Sequence, residues 1–365
     1  MSRPTKALIN LDALRSNYRL AQALAPNSQT MPMVKANAYG HGMVPVATAL
    51  ADLAPAFGVA CIEEALELRK AGITQPILLL EGTFSAEEVA IAALENIWMM
   101  VENHAQKEAI INTELPMSVY VWLGLDSGMH RLGFQPSDIA DVYGQLLNSR
   151  NVHKPIVLAS HFACAEDLKN SYTQQQLDSF NQALASLSEY GDAQPLQSLA
   201  NSASILARPD THRDWNRPGY MLYGSSPFDH PHSNADKLQA VMTLTSAVIS
   251  LRHIAAGEVV GYSGRWRADK PSTIATIAIG YGDGYPRGAP NGTPVLVNGV
   301  ECPLVGNVSM DMITVDVSAL TRVAIGDPVE LWGPNLAVSR VAKLCNTIGY
   351  ELMTRMPARV PRIYQ

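Results

Sequence analysis

Eight times in the first two-thirds of this 365-residue chain, a short apolar run gives way to a stretch of helical character. The apolar runs fall at 31–35, 56–62, 76–81, 97–101, 117–125, 155–162, 196–201 and 215–217. Between them lie segments such as Glu63 to Lys70 and Gln174 to Tyr190, whose apolar residues recur at helical spacing. Parallel strands need a crossover between them, and a helix is the usual one. Eight strand–helix units in succession therefore predict an α/β fold closed as a (β/α)8 barrel of the TIM type; an open doubly wound sheet seldom repeats so regularly.

From about residue 236 the period changes to two. Val241 to Ile254, Ser272 to Ile279, Pro294 to Val300 and Met312 to Val317 read as strands, separated by turn signals such as Asn298-Gly299 and Gly326-Asp327. The expected organisation is a barrel over 10–235 followed by an antiparallel β domain over 236–365. The leading segment 1–9 is expected to join the β domain through Ala7-Leu8-Ile9, with a first helix over Leu11–Leu24. A length of 365 residues suits two domains, and 47% hydrophobic against 16% charged residues suits large packed cores. The net charge of -6, with no basic cluster, argues against a nucleic-acid partner. The apolar run after Lys6 is too short for a secretory signal, and no stretch reaches membrane-spanning length, so a cytoplasmic protein is expected. Cys61, Cys164, Cys302 and Cys345 are scattered with no close pair and read as reduced core cysteines. Asp229-His230-Pro231-His232 lacks further ligands nearby and reads as loop, so no metal is expected.

The chemically capable residues of the barrel half gather at strand ends. Lys35 follows the first strand, His161 the sixth, Asn201-Ser202 the seventh, and Arg217 with Gly219 the eighth. Carboxyl ends of barrel strands build active sites, so this distribution is that of an enzyme. A lysine at such an end is costly to bury unless paired or covalently used. Its useful chemistry is to form a Schiff base, which requires an amine of lowered pKa. Taken alone, His161 reads as a core histidine and Tyr262 as an ordinary strand aromatic.

The segment Val34-Lys35-Ala36-Asn37-Ala38-Tyr39-Gly40-His41-Gly42 resembles the pyridoxal-phosphate lysine motif of the bacterial alanine racemases. Further segments match that family in order: Asp126-Ser127-Gly128-Met129-His130-Arg131-Leu132-Gly133, Ser160-His161-Phe162-Ala163, Asn201-Ser202-Ala203, Arg217-Pro218-Gly219-Tyr220, Val260-Gly261-Tyr262-Ser263, Gly280-Tyr281-Gly282-Asp283-Gly284 and Ser309-Met310-Asp311. The resemblance runs from Ala7 to Arg362. It implies interconversion of L- and D-alanine, supplying D-alanine for peptidoglycan, with pyridoxal 5'-phosphate on Lys35. Two bases on opposite faces are implied, Lys35 for the D-alanine face and Tyr262 for the L-alanine face. Tyr39, His161, Asn201, Ser202, Gly219 and Tyr220 would surround the cofactor, and Arg217 would face its ring nitrogen. Arg131, Met310, Asp311 and Tyr281 would serve the substrate. The resemblance also implies a homodimer in which Tyr262, Tyr281, Met310 and Asp311 cross to the neighbouring subunit's site. A phenol needs nearby positive charge to act as a base at neutral pH, and Arg217 acting through His161 is the expected source.

Two departures from the family pattern stand out. Many members carry a lysine, often carbamylated, seven residues before the carboxylate-binding arginine; here that position is Gly124. A buried arginine without a counter-charge is expensive, so an anion, or a carboxylate or amide from another strand, is expected beside Arg131. Some members also place a tyrosine directly before the terminal Arg359-Val360-Pro361-Arg362, where this chain has Ala358. Two other kinds of pyridoxal protein fit less well. A cofactor-homeostasis protein would lack the β half, and a decarboxylase of basic amino acids would carry glutamate rather than Arg217 at the ring nitrogen.

Overall fold

The computed structural model describes residues 3–365, the side chain of Asp192 excepted, so Met1 and Ser2 of the leading segment lie outside the described residues. Strand β1 (Lys6–Ile9) is followed at once by helix α1 (Leu11–Leu24). The helix starts where it does because Asn10 Oδ1 accepts from the Ala13 amide at 2.8 Å, satisfying one of the amides a helix start leaves free. Its buried residues, Leu14, Asn17, Tyr18 and Ala21, recur at spacings of three and four and face the barrel.

Eight parallel strands follow: β2 (Gln29–Thr30), β3 (Phe57–Val59), β4 (Ile77–Leu79), β5 (Ile97–Val101), β6 (Val119–Gly124), β7 (Val152–Ala159), β8 (Leu196–Ser198) and β9 (Trp215–Asn216). From β3 onward each pairs with the next, and β9 pairs back to β2. The circle closes between residues 32–34 and β3, where the Val34 amide donates to the Gly58 carbonyl at 2.8 Å and the Gly58 amide to the Pro32 carbonyl at 3.0 Å. The expected first strand at 31–35 is thus a two-residue strand at Gln29–Thr30, continued by an irregular run. Pro32 has no amide to give to a ladder, and the run bonds alternately to both neighbours, Met31 and Met33 to the β9 side and Val34 to β3. Inside the barrel, Met31, Met33, Leu78, Met100, Trp122, Val157 and Trp215 pack into a plug beneath the open end.

The β domain comprises β10 (Met242–Ile254), β11 (Val259–Val260), β12 (Trp266–Arg267), β13 (Ser272–Ile277), β14 (Pro294–Val297), β15 (Val300–Pro303), β16 (Ile313–Asp316), β17 (Pro328–Trp332) and β18 (Arg362–Tyr364). Apart from β1 alongside β18, its pairings are antiparallel. Strand β10 organises it: the first half pairs with β1 and β17, and after a register shift between Val248 and Ser250 the second half pairs with β13. The β14–β15 hairpin turns on Asn298 at φ 53° and Gly299 at φ 77°, the two positive values that a tight primed turn needs. Two short helices, Val338–Leu344 and Gly349–Thr354, were not legible in the sequence; the second reaches back to the barrel mouth. No helix among the described residues is long and apolar enough to cross a membrane.

Candidate active site

Lys35 opens a turn, Lys35–Tyr39, of unusual hand. Ala36, Asn37, Ala38 and Tyr39 all have φ between 51° and 53°, a run of four non-glycine residues in the left-handed region. Each such residue costs roughly 1–2 kcal/mol, so the surroundings must impose the conformation. Glu64 does so from below: Oε1 accepts from the Ala36 amide at 2.7 Å and Oε2 from the Ala60 amide at 2.8 Å. Asn37 Oδ1 accepts from the Met43 amide at 2.8 Å. The buried His41 ring, its pKa pushed down to about 4 by desolvation, donates from Nδ1 toward the carbonyls of Ala38 and Tyr39. The chain's last strand completes the clamp, with Arg362 Nε donating to the Gly40 carbonyl at 3.0 Å and the Tyr364 hydroxyl to that of His41 at 3.2 Å. Gly40, at φ 82°, is obligatory because a side chain there would collide with the Met353 carbonyl.

The turn places Lys35 in a cavity of about 1500 Å³ at the carboxyl end of the barrel. Burial, and then the charge of Arg131, lower the Lys35 pKa, which favours the free amine. On one wall Tyr39 stacks on Tyr223 at 4.8 Å and brings its hydroxyl over Gly219. A Cβ at 219 would stand 3.1 Å from Tyr39 Cζ, so the backbone must be bare here. Ser202 Oγ accepts from the amides of Gly219 at 3.0 Å and Met221 at 3.1 Å, while Asn201 Oδ1 caps the following helix at the Ser204 amide. Tyr220 lies flat against Tyr350, ring centroids 3.7 Å apart. Burial raises both Tyr39 and Tyr220 to about 12, leaving their hydroxyls as protonated donors.

Arg217 lies at the cavity floor, 8% exposed, donating to Ser198 Oγ, to the Ser160 carbonyl at 2.6 Å and to the Leu199 carbonyl at 3.4 Å. Burial lowers its pKa to about 10, and the charge of Glu102 pulls it back up; the guanidinium is charged at neutral pH. His161 is held down to about 3 by burial and by the charges of Arg217, Arg131 and Lys35, and is neutral. Arg217 thus donates to three oxygens, none of them on His161.

Lys35, Tyr39, Arg131, His161, Asn201, Ser202, Arg217, Gly219 and Tyr220 all line this one cavity. Tyr262, Tyr281, Met310 and Asp311 do not. They form a separate patch on the β domain, where the Tyr281 amide donates to Ser309, the Gly282 amide to Met310, and Asn307 Nδ2 to the Tyr262 carbonyl. Tyr262 is 71% exposed and Met310 53%, while the Asp311 carboxylate is held by Arg359 at 2.7 Å. Sequence reasoning missed two residues of the cavity. Tyr350 brings a phenol beside the Ser202–Gly219 wall, and Glu102 stands next to Gly124. The glycine where relatives carry a lysine was the signal for the second.

Two family descriptions cover this arrangement, "Alanine racemase, N-terminal domain" over residues 9–227 and "Alanine racemase, C-terminal domain" over 241–364. The chain belongs to the alanine racemase family. It is 50% identical over 365 residues to the alanine racemase of Chromohalobacter salexigens, covering 100% of this chain and 99% of the relative. It is 48% identical to the catabolic alanine racemase of Pseudomonas putida, with 99% of each covered. The crystal structure of the biosynthetic alanine racemase from Pseudomonas aeruginosa superposes with a TM-score of 0.94 at 47% identity, covering 100% of this chain and 99% of that one. Identity therefore does not separate biosynthetic from catabolic relatives.

The turn that carries Lys35 should be sensitive to Glu64. In Glu64→Gln one of the two amides now served by the carboxylate must face an amide nitrogen instead, at a cost of about 1–3 kcal/mol. A lower thermal midpoint is expected; an unchanged midpoint would show that the left-handed run is held without it.

Proposed function

We propose that this chain interconverts L- and D-alanine with pyridoxal 5'-phosphate held at Lys35, as a homodimer whose sites are shared between subunits. The observation that carries the reading is the division of the functional residues: one set converges on a single cavity, the other is exposed on the β domain. Supply of D-alanine for peptidoglycan is the general role of such an activity. A cytoplasmic location goes with that role and suits four cysteines without disulfides. Residues 10–235 and 236–365 are the proposed domain bounds.

The donor set fits the cofactor. The Ser202, Tyr39 and nearby Tyr350 hydroxyls, set around a backbone kept bare at Gly219, form a wall of donors suited to a phosphate. Lys35 offers an amine of lowered pKa for the aldehyde, and Arg217 would meet the ring nitrogen. When bound, the cofactor supplies a ring that accepts electron density and so acidifies the hydrogen at the substrate's α-carbon. A guanidinium charged to about pH 10 does not give its proton to that ring at neutral pH, which keeps the ring a modest acceptor and suits simple proton exchange. Arg131 would pair with the substrate carboxylate through its planar fork. The Lys35 amine would take and return the proton on the D-alanine face. Tyr262 of the partner subunit would do so on the L-alanine face. An exposed tyrosine and methionine patch is what such an interface needs before assembly.

Borohydride treatment of the yellow protein, followed by peptide mapping, should find the cofactor fixed on Lys35; an adduct on another lysine refutes the site. Tyr262→Phe should lose roughly 10²- to 10⁴-fold in turnover, the usual worth of a positioned base. Its solvent-deuterium exchange at the α-carbon should persist with D-alanine and nearly vanish with L-alanine, whereas equal exchange would rule out two bases. Mixing Lys35→Ala with Tyr262→Phe protein should restore part of the activity, since a heterodimer contains one intact site. No recovery despite demonstrated subunit exchange would count against sharing.

A further inference from the structure

The parallel register of β5 on β6 pairs Met99 with Val121, Met100 with Trp122 and Val101 with Leu123. The next position sets Glu102 beside Gly124. Met100 and Trp122 both point into the barrel plug, and side chains alternate along a strand, so Glu102 and position 124 face the lumen one layer higher. Gly124 leaves that layer empty, and Ala159, its partner on β7, adds little. Into the gap leans the Glu102 carboxylate: a Cβ at 124 would stand 2.6 Å from its Cδ and 3.1 Å from Oε1. The Glu102 backbone is pinned by its amide donating to Gln106 Oε1 at 2.8 Å, so the side chain is committed to this direction. Only 9% of the residue is exposed. A carboxylate in such a place is expensive to keep unless its charge is used.

We propose that Glu102 is a positioning residue for the substrate-carboxylate site: its carboxylate, wedged opposite Gly124 in the cavity that Arg131 and Arg217 also line, is their counter-charge across that space, with no direct hydrogen bond to either guanidinium. The charges acting on it are those of Arg217 and Arg131, which favour the ionised form against the burial that raises its pKa to about 7. Among the other titratable groups facing the cavity, His161 is neutral, while the charges of Glu81 and Glu64 act on Lys35. Glu102 is therefore protonated below about pH 7 and ionised above. Arg131 is best set in the ionised state, so the KM for alanine falls as pH rises through that value.

This inference rests on the reading of Arg131 as the carboxylate ligand, and its test is made in holoenzyme that racemises alanine. Glu102→Gln should raise KM for alanine about 10-fold, with kcat changed far less, because what is weakened is binding made alike in ground and transition states. The same variant should lose the fall of KM between pH 6 and 8. Glu102→Asp, which keeps the charge one methylene back, should recover part of the KM. Gly124→Ala, whose methyl displaces the carboxylate without removing it, should raise KM in the same direction. Wild-type KM and pH profile in Glu102→Gln would overturn the proposal. So would an aspartate variant no better than the glutamine variant with both showing a lowered thermal midpoint, the result expected of packing alone. Inactive wild-type protein would instead sink the proposed function and be distinguishable at the outset.

Discussion

Four consecutive residues of left-handed backbone, Ala36 to Tyr39, are the constraint on which the site depends. That conformation turns the chain sharply after Lys35, so the amine stays at the rim of the barrel while Tyr39 returns to the opposite wall above Gly219. A right-handed continuation would carry Tyr39 elsewhere and unmake the wall. The strain is met by bonds from three remote segments: Glu64 after β3, Met43 on the next helix, and Arg362 with Tyr364 on β18. Strained backbone persists where its surroundings over-determine it, and this one is over-determined from both domains.

Charge is distributed in the cavity with comparable economy. Lys35, Arg131 and Arg217 bring positive groups to one space, and their mutual repulsion with burial keeps Lys35 inclined to the neutral amine. The same field keeps His161 neutral. Arg217 stays charged because the charge of Glu102 works against the burial that lowers its pKa, while its N–H groups donate to two carbonyls and a serine hydroxyl. One barrel end thus holds an amine, a neutral imidazole and a fixed cation side by side, the first two kept in their states by burial and by the neighbouring cations.

Much of this was legible in the sequence because periodicity records which face of an element is buried. The eight strand–helix units, the change to period two and the Asn298-Gly299 hairpin follow from that signal. The irregular first strand did not, since Pro32 withholds a ladder amide that apolar patterning cannot register. The left-handed turn was hidden for a different reason: Ala36 and Ala38 have no local preference for it, and the forces that impose it come in part from residues 322 and 323 positions away. Tyr350 and Glu102 escaped notice because each enters the site from an element with no motif of its own. Arg217's acceptors are two backbone carbonyls and the Ser198 hydroxyl, which no motif reveals.

In the sheet of the β domain β1 lies between β10 and β18, two strands made long after it. During synthesis, domains generally fold as units from the amino terminus, and the barrel strands are complete by Asn216. The first strand, however, cannot find either neighbour until β10 has been made, and not both until Tyr364 has left the ribosome. The same final residues carry the clamp on Gly40 and His41. Maturation of the lysine turn is thereby tied to the synthesis of β18: a product without that strand that had already closed its barrel would still lack the last restraint on the residues around Lys35.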